Sequence, residues 1–238
     1  MKCYQSVLVI PDRHIPFAHK DALAFVHAVI MATRPEIIVD LGDEVDNHNL
    51  SFHQSDNDLP FSASGELDVA IQQLKEWYKI TGDTPVRVCN SNHGSLLYRK
   101  AKHEGIPRHM LRDWSDILEA PKTYSWHDKV ILNTGGTKTL FMHSIKANSL
   151  GASKHKGMNI CQGHYHSRAD IQYWKNDAGD TFFGTTVGCL VDEHSLGMHY
   201  GKLFLDRPML GVLAIMRGVP YYIPMVLDNK GRWIGKLL

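Results

Sequence analysis

Five short clusters of carboxylate, amide and imidazole side chains are spread along the 238 residues: Asp12-Arg13-His14, Gly42-Asp43-Glu44-Val45-Asp46, Asn92-His93, His143 and Gly163-His164-Tyr165-His166. Oxygen and imidazole donors without thiolates suit manganese, with iron, zinc, cobalt or nickel as alternatives, and argue against a closed structural zinc site. The donors are enough for two divalent ions. Such ions, roughly 3.5–4 Å apart, clamp a phosphoryl group and draw a hydroxide nucleophile from bound water. Asp43 is central enough to bridge them. In Asp12-x-His14 and His164-x-His166 the side chains are two apart, so an extended backbone would point both members of a pair to one side. Taken singly, each cluster has a plainer reading: a solvated turn, a strand-ending turn, or a packed histidine.

The elements that must carry these clusters give them weight as a set. An apolar run over Gln5–Pro11 reads as a buried strand, Lys20–Met31 as an amphipathic helix, and Glu36–Leu41 as a second strand, together a βαβ unit. The polar stretch Asn47–Ser62 is a long loop. A helix follows, with Ser64 as its expected N-cap and Gly82 just past its end. Pro85–Cys89 is a third strand, and Ser95–Lys102 and Pro107–Leu118 read as short helices. Thr123–Trp126 and Lys129–Leu132 are expected to form a hairpin around His127-Asp128. Lys138–Met142 and Met158–Cys161 are further strands. From Asp170 onward the chain reads as mostly antiparallel β, in runs Ile171–Lys175, Thr181–Thr186, Gly211–Arg217, Tyr221–Leu227 and Trp233–Leu237. Each cluster follows directly on an expected strand, and sites in parallel α/β sheets form beyond the carboxyl ends of strands. Residues more than 150 positions apart can therefore meet.

The ordered series resembles the calcineurin-like metallophosphoesterase family, whose pattern is D-x-H, G-D-x-x-D, G-N-H-[DE], a lone H, and G-H-x-H. All five blocks occur here in order, the third as Ser91-Asn92-His93-Gly94. The resemblance implies a four-layer α/β/β/α sandwich of two mixed sheets flanked by helices, formed by a single domain over residues 1–238. It also implies that Asp12, His14 and His166 hold one metal, that Asn92, His143 and His164 hold the other, and that Asp43 bridges. His93 would face the substrate as the non-ligand histidine, with Asp46 orienting it and raising its pKa. The implied reaction is phosphate-ester hydrolysis by metal-bound hydroxide. Two departures stand out. Ser91 and Gly94 replace a glycine and an acidic residue, and Asn47 stands where protein phosphatases of the superfamily place a phosphate-binding arginine.

That last departure, and a chain too compact for a cap domain, favour a phosphodiester substrate, a nucleotide or nucleic acid, over a phosphomonoester of a small molecule. The chain is also similar to small stand-alone, exonuclease-like members from bacteria and phages. A non-catalytic metal-binding scaffold is the remaining alternative, although no ligand position is lost. Arg13, Arg99 and His48 are possible substrate contacts, with solvated or packed roles as the plainer reading; His53 lies in the same loop as His48. Asp40, a carboxylate inside an apolar strand, needs a buried partner. Trp174, Trp233 and Tyr221-Tyr222 read as sheet-packing residues that could also stack a base. Lys and Arg number 26 against 25 Asp and Glu, a net charge of +1, which gives no basic coat for duplex binding. No stretch reaches membrane-span length, and the first residues run into a strand without a cleavage site. With four scattered cysteines and no CxxC pair, a cytoplasmic setting is expected.

Overall fold

A computed structural model of the chain describes residues 2–51, 62–194 and 207–237; His53 of the long loop lies outside them. Strands β1 (Cys3–Tyr4), β2 (Ser6–Ile10), β3 (Ile37–Asp40), β4 (Val86–Cys89), β5 (Tyr124–His127) and β6 (Val130–Thr134) open the two sheets. Strands β7 (Thr137–Met142), β8 (Asn159–Gln162), β9 (Ala169–Lys175), β10 (Thr181–Val187), β11 (Gly211–Met216) and β12 (Val219–Pro224) complete them. One sheet runs β12-β11-β2-β3-β4-β5 and the other β1-β6-β7-β8-β10-β9. In the first, β2 to β5 are mutually parallel and β11 and β12 antiparallel. The expected mixed-sheet sandwich is therefore observed.

Strand alternation builds the layers. Val7, Val9, Ile37, Val39 and Leu41 point between the sheets, where they meet Val130, Leu132, Phe141 and Cys161. Leu8, Ile10 and Ile38 point the other way, onto α1 (Ala22–Thr33) and α2 (Ala63–Thr81), with Phe25, Val26, Leu74 and Trp77. On the far face Leu140 and Ile160 pack on Ala152 of α5 (Ser149–Lys156). Strands buried on both faces explain the near-continuous apolar runs of the first half.

Several local expectations are corrected. The N-cap of α2 is Ser62, whose hydroxyl accepts from Gly65 N at 3.2 Å, rather than Ser64. Pro107–Leu118 forms a 3₁₀ turn, Arg108–Met110, and the short α4, Trp114–Ile117, separated by extended backbone at Leu111 and Asp113. His127-Asp128 is no hairpin turn. There the chain leaves β5, an edge of one sheet, and enters β6 in the other. The hairpin is β6–β7, closed by Gly135-Gly136 with φ of +60° and +102°, a pair better suited to the positive φ such turns need. Trp233–Leu237 makes only the bridge Leu227–Trp233 instead of a strand. Among the described residues no helix is long and apolar enough to cross a membrane.

Candidate metal centre

The five clusters sit at the carboxyl ends of β2, β3, β4, β7 and β8, three in one sheet and two in the other. The sandwich brings them face to face. Three overlapping groups result: Asp12, His14 and His166; His14, Asp43 and His93; and Asp43, His143 and His164. Their ligand-type atoms lie within 4.8 Å of one another in each group. Asp43 Oδ2 stands 3.5 Å from His14 Nε2 and 3.2 Å from His143 Nε2, between the two outer groups. Asn92 Oδ1 lies 2.6 Å from His143 Nε2. Asp12 Oδ2 is 3.1 Å from His166 Nε2 and accepts the backbone N–H of His164 at 2.7 Å. His93, to which the family resemblance gives a different role, is grouped with them; its ring lies edge-on to His14, 4.6 Å between centroids.

Imidazole tautomers sharpen the picture. His14 Nδ1 donates to Asp46 Oδ1 at 2.5 Å, and His143 Nδ1 donates to the Leu41 carbonyl at 3.0 Å. In the neutral ring this leaves each Nε2 as a bare lone pair aimed into the cluster, the arrangement by which outer partners prepare histidines for a cation. His143 Nε2 then faces Asn92 Oδ1, Asp43 Oδ2 and His164 Nδ1 (3.2 Å) at once. Asp12 Oδ1 and His14 Nε2 are buried without a hydrogen-bond partner. Buried polar atoms left in this state are costly, and a cation among them relieves the cost. The donor set therefore fits divalent metal.

Ion-free electrostatics reflect the same crowding. Burial resists ionisation of Asp43, yet His143, His93 and His14 hold its carboxyl well below the usual range. Burial likewise opposes Asp12, and His143 and His166 pull it down. Burial disfavours charge on His143, but Asp43 and Asp12 raise it to about 9. His164 is lowered, by burial and by neighbouring His143.

Backbone conformation reaches this geometry by a route the spacing did not foretell. His14, Asp43 and His164 have φ of +48°, +49° and +68°. The two D-x-H and H-x-H pairs are thus not extended, and His164 and His166 join different groups. Left-handed backbone at non-glycine residues is costly and concentrates at functional sites. Gly163 admits the approach of Asp12: a Cβ there would run into Asp12 Oδ1.

Other expected roles are modified. Asp46 places its carboxylate on His14, while its backbone carbonyl takes His93 Nδ1; its Oδ1 is 3.5 Å from that nitrogen. Burial lowers and Asp43 and Asp46 raise His93, with a net rise. Arg13, expected toward phosphate or solvent, is only 2% exposed and pairs with Asp40 on the helix side of the sheet, its guanidinium 4.7 Å from the Trp77 ring. This also supplies the partner that Asp40 needed. His48 Nδ1 lies 3.6 Å from Asp46 Oδ2 at the edge of the cluster, and Arg99 sits exposed on α3 (Leu96–His103). Two residues noted only as departures from the family pattern have positioning roles that went unforeseen. Asn47, at φ +52°, donates from Nδ2 to the His93 carbonyl at 3.0 Å. Ser91 Oγ accepts from Asp43 N at 2.9 Å and Gly94 N at 3.2 Å. Their only signal was that both depart from the family pattern.

No family model and no curated protein matches the sequence. Solved structures similar to the chain include Vps29 from Chaetomium thermophilum, 10% identical over 95% of this chain and 92% of that one, with a TM-score of 0.49. A novel archaeal phosphodiesterase is 13% identical over 98% and 99%, with a TM-score of 0.43. Yfce, a phosphoesterase from E. coli, is 13% identical over 98% of each chain, with a TM-score of 0.42.

Proposed function

We propose that this chain is a dinuclear metal-dependent phosphoesterase of the calcineurin-like kind, preferring phosphodiesters of nucleotide or nucleic-acid type to monoesters, and working in the cytoplasm. The observation that carries the proposal is the pair of histidines, His14 and His143, whose Nδ1 protons are anchored and whose Nε2 atoms converge on Asp43. Asp12, His14 and His166 would hold one cation, Asn92, His143 and His164 the other, and Asp43 would touch both. Two divalent cations held there, manganese first, would supply Lewis acidity, polarising phosphoryl oxygens and lowering the pKa of bound water.

The chain's own residues do the rest. Asp12, His14, Asp43 and Asp46 form a buried floor, whereas Asn92 and His164 are exposed and His93 is 21% exposed, so an ester approaches from that side. His93 is fixed through Nδ1 by the Asp46 carbonyl, and in the imidazolium form, which Asp43 and Asp46 favour, Nε2 carries the second proton and gives it to the departing ester oxygen, leaving the neutral ring. Asn47 and Ser91 hold the loop that carries it. A net charge of +1 fits a small diester or a nucleic-acid end better than long duplex contact. The four free cysteines, three of them buried, agree with a reducing compartment.

The test compares turnover of bis(p-nitrophenyl) phosphate and p-nitrophenyl phosphate with added manganese. Faster diester turnover is expected, and His93→Gln should lose about 10²–10⁴-fold. A manganese-loaded wild type that turns over neither compound would overturn the proposal.

A further inference from the structure

A cavity of about 670 Å³ adjoins the two loops that carry Asp43 and Asn92. None of the seven expected metal ligands lines it. Its inner wall is formed by their chain neighbours, Glu44 and Ser91, together with Gly94, and Tyr98, Trp114, Tyr124 and Trp126 supply aromatic walls. A Cβ on Gly94 would stand 3.1 Å from Ser91 Oγ and 3.7 Å from Trp114 Nε1, so the glycine leaves this wall open.

Charge distinguishes this cavity from an ordinary packing defect. Glu44 is only 2% exposed, and its Oε1 accepts from Trp114 Nε1 at 2.7 Å and Trp126 Nε1 at 3.0 Å. Neutral indoles orient a carboxylate without cancelling its charge. The buried guanidinium of the region, Arg13, is committed to Asp40. Among the described residues Glu44 makes no ion pair, and the cavity lining carries Glu44, Asp113 and Asp128 against one guanidinium, Arg108. Arg108, itself part of the lining, lies 4.3 Å from the centroid of the Tyr98 ring and pairs with Asp113 at 2.6 Å, which leaves Glu44 and the two indoles for a ligand.

We propose that this cavity binds a small organic cation, its charged nitrogen set against Glu44 and beside the rings of Trp114 and Trp126. Carboxylate and aromatic faces together favour such cations, and desolvation strengthens the attraction. The site stands independently of phosphoesterase activity.

Choline is a suitable probe, with its uncharged isostere 3,3-dimethylbutan-1-ol and the neutral aromatic adenosine as comparators. Titration of the full chain is followed by calorimetry and tryptophan fluorescence, with and without manganese. Choline is expected to saturate with a dissociation constant on the order of millimolar. The isostere and adenosine should bind at least tenfold more weakly, as should choline to Glu44→Gln. Trp126→Leu, at a partly exposed ring, should weaken choline several-fold and serves where Glu44→Gln fails to fold. Absence of saturation, equal binding of the isostere, tighter binding of adenosine, or unchanged choline affinity in a folded Glu44→Gln or Trp126→Leu would each overturn the proposal. Catalytic failure would leave all these readouts intact.

Discussion

The strand position occupied by Asp40 would ordinarily take a valine or isoleucine, and Arg13 sits between two metal-type residues. The structure joins these two oddities. Asp40 Oδ1 accepts from Gly42 N at 2.9 Å, and its other oxygen takes Arg13, so one buried pair ties the Asp12–His14 loop to the Gly42–Asp46 loop. Breaking a buried pair on one side leaves an uncompensated charge. Arg13→Met is therefore expected to cost about 3–5 kcal/mol in urea unfolding. Arg13→Met combined with Asp40→Asn should recover part of that loss; no recovery would mean that packing against Trp77, not charge, is what matters. Metal-type residues were legible as an ordered set, each cluster following an expected strand, although singly each had a plainer reading. Arg13's burial was not, since nothing local tells which side of a loop a lone cation takes.

Helix and strand cores were readable from periodicity, and their ends less so. Ser64 was the expected cap of α2, and the backbone path puts Ser62 there instead. Ser62→Ala should cost about 1 kcal/mol and Ser64→Ala much less, as measured by thermal melts. At the start of α1, Asp21 makes no side-chain cap bond. It accepts instead from Arg232 Nε at 2.8 Å, Arg232 Nη2 at 2.6 Å and Trp233 N at 3.0 Å, pinning the last residues to the first helix. The Arg232 hydrogen bonds lower the Asp21 carboxyl to about 2. A depressed acid stabilises the fold above its unfolded pKa, near 4, and loses that contribution as pH falls toward 2. Asp21→Asn should therefore lower Tm at pH 7, with the gap from wild type closing between about pH 4 and 2. A gap independent of pH would remove the ionic explanation. The same contact takes up the Trp233 N–H, a donor that a strand over Trp233–Leu237 would otherwise offer to a neighbouring strand.

At the scale of the molecule, the candidate centre joins loops from both sheets, so metal binding should couple to the stability of the whole sandwich. A ligand bound only by the folded state adds about 2.7 kcal/mol at one hundred times its dissociation constant. Manganese should raise Tm in wild type and in His93→Gln, and EDTA should reverse the rise. Asp43→Asn, which removes the carboxylate between the two outer groups, should abolish it. An equal manganese shift in Asp43→Asn would show that the cation binds elsewhere.

Residue type, spacing and periodicity determined the strands and helices, the order of the five clusters and the chemistry they suit, because these depend on short stretches of chain. The tertiary structure decided which cluster faces which, through the meeting of two sheets. It also decided the left-handed turns at His14, Asp43 and His164, the sheet change at His127-Asp128 and the burial of Arg13. Each of these is set by packing between segments distant in sequence, where burial and long-range hydrogen bonds outweigh local preference.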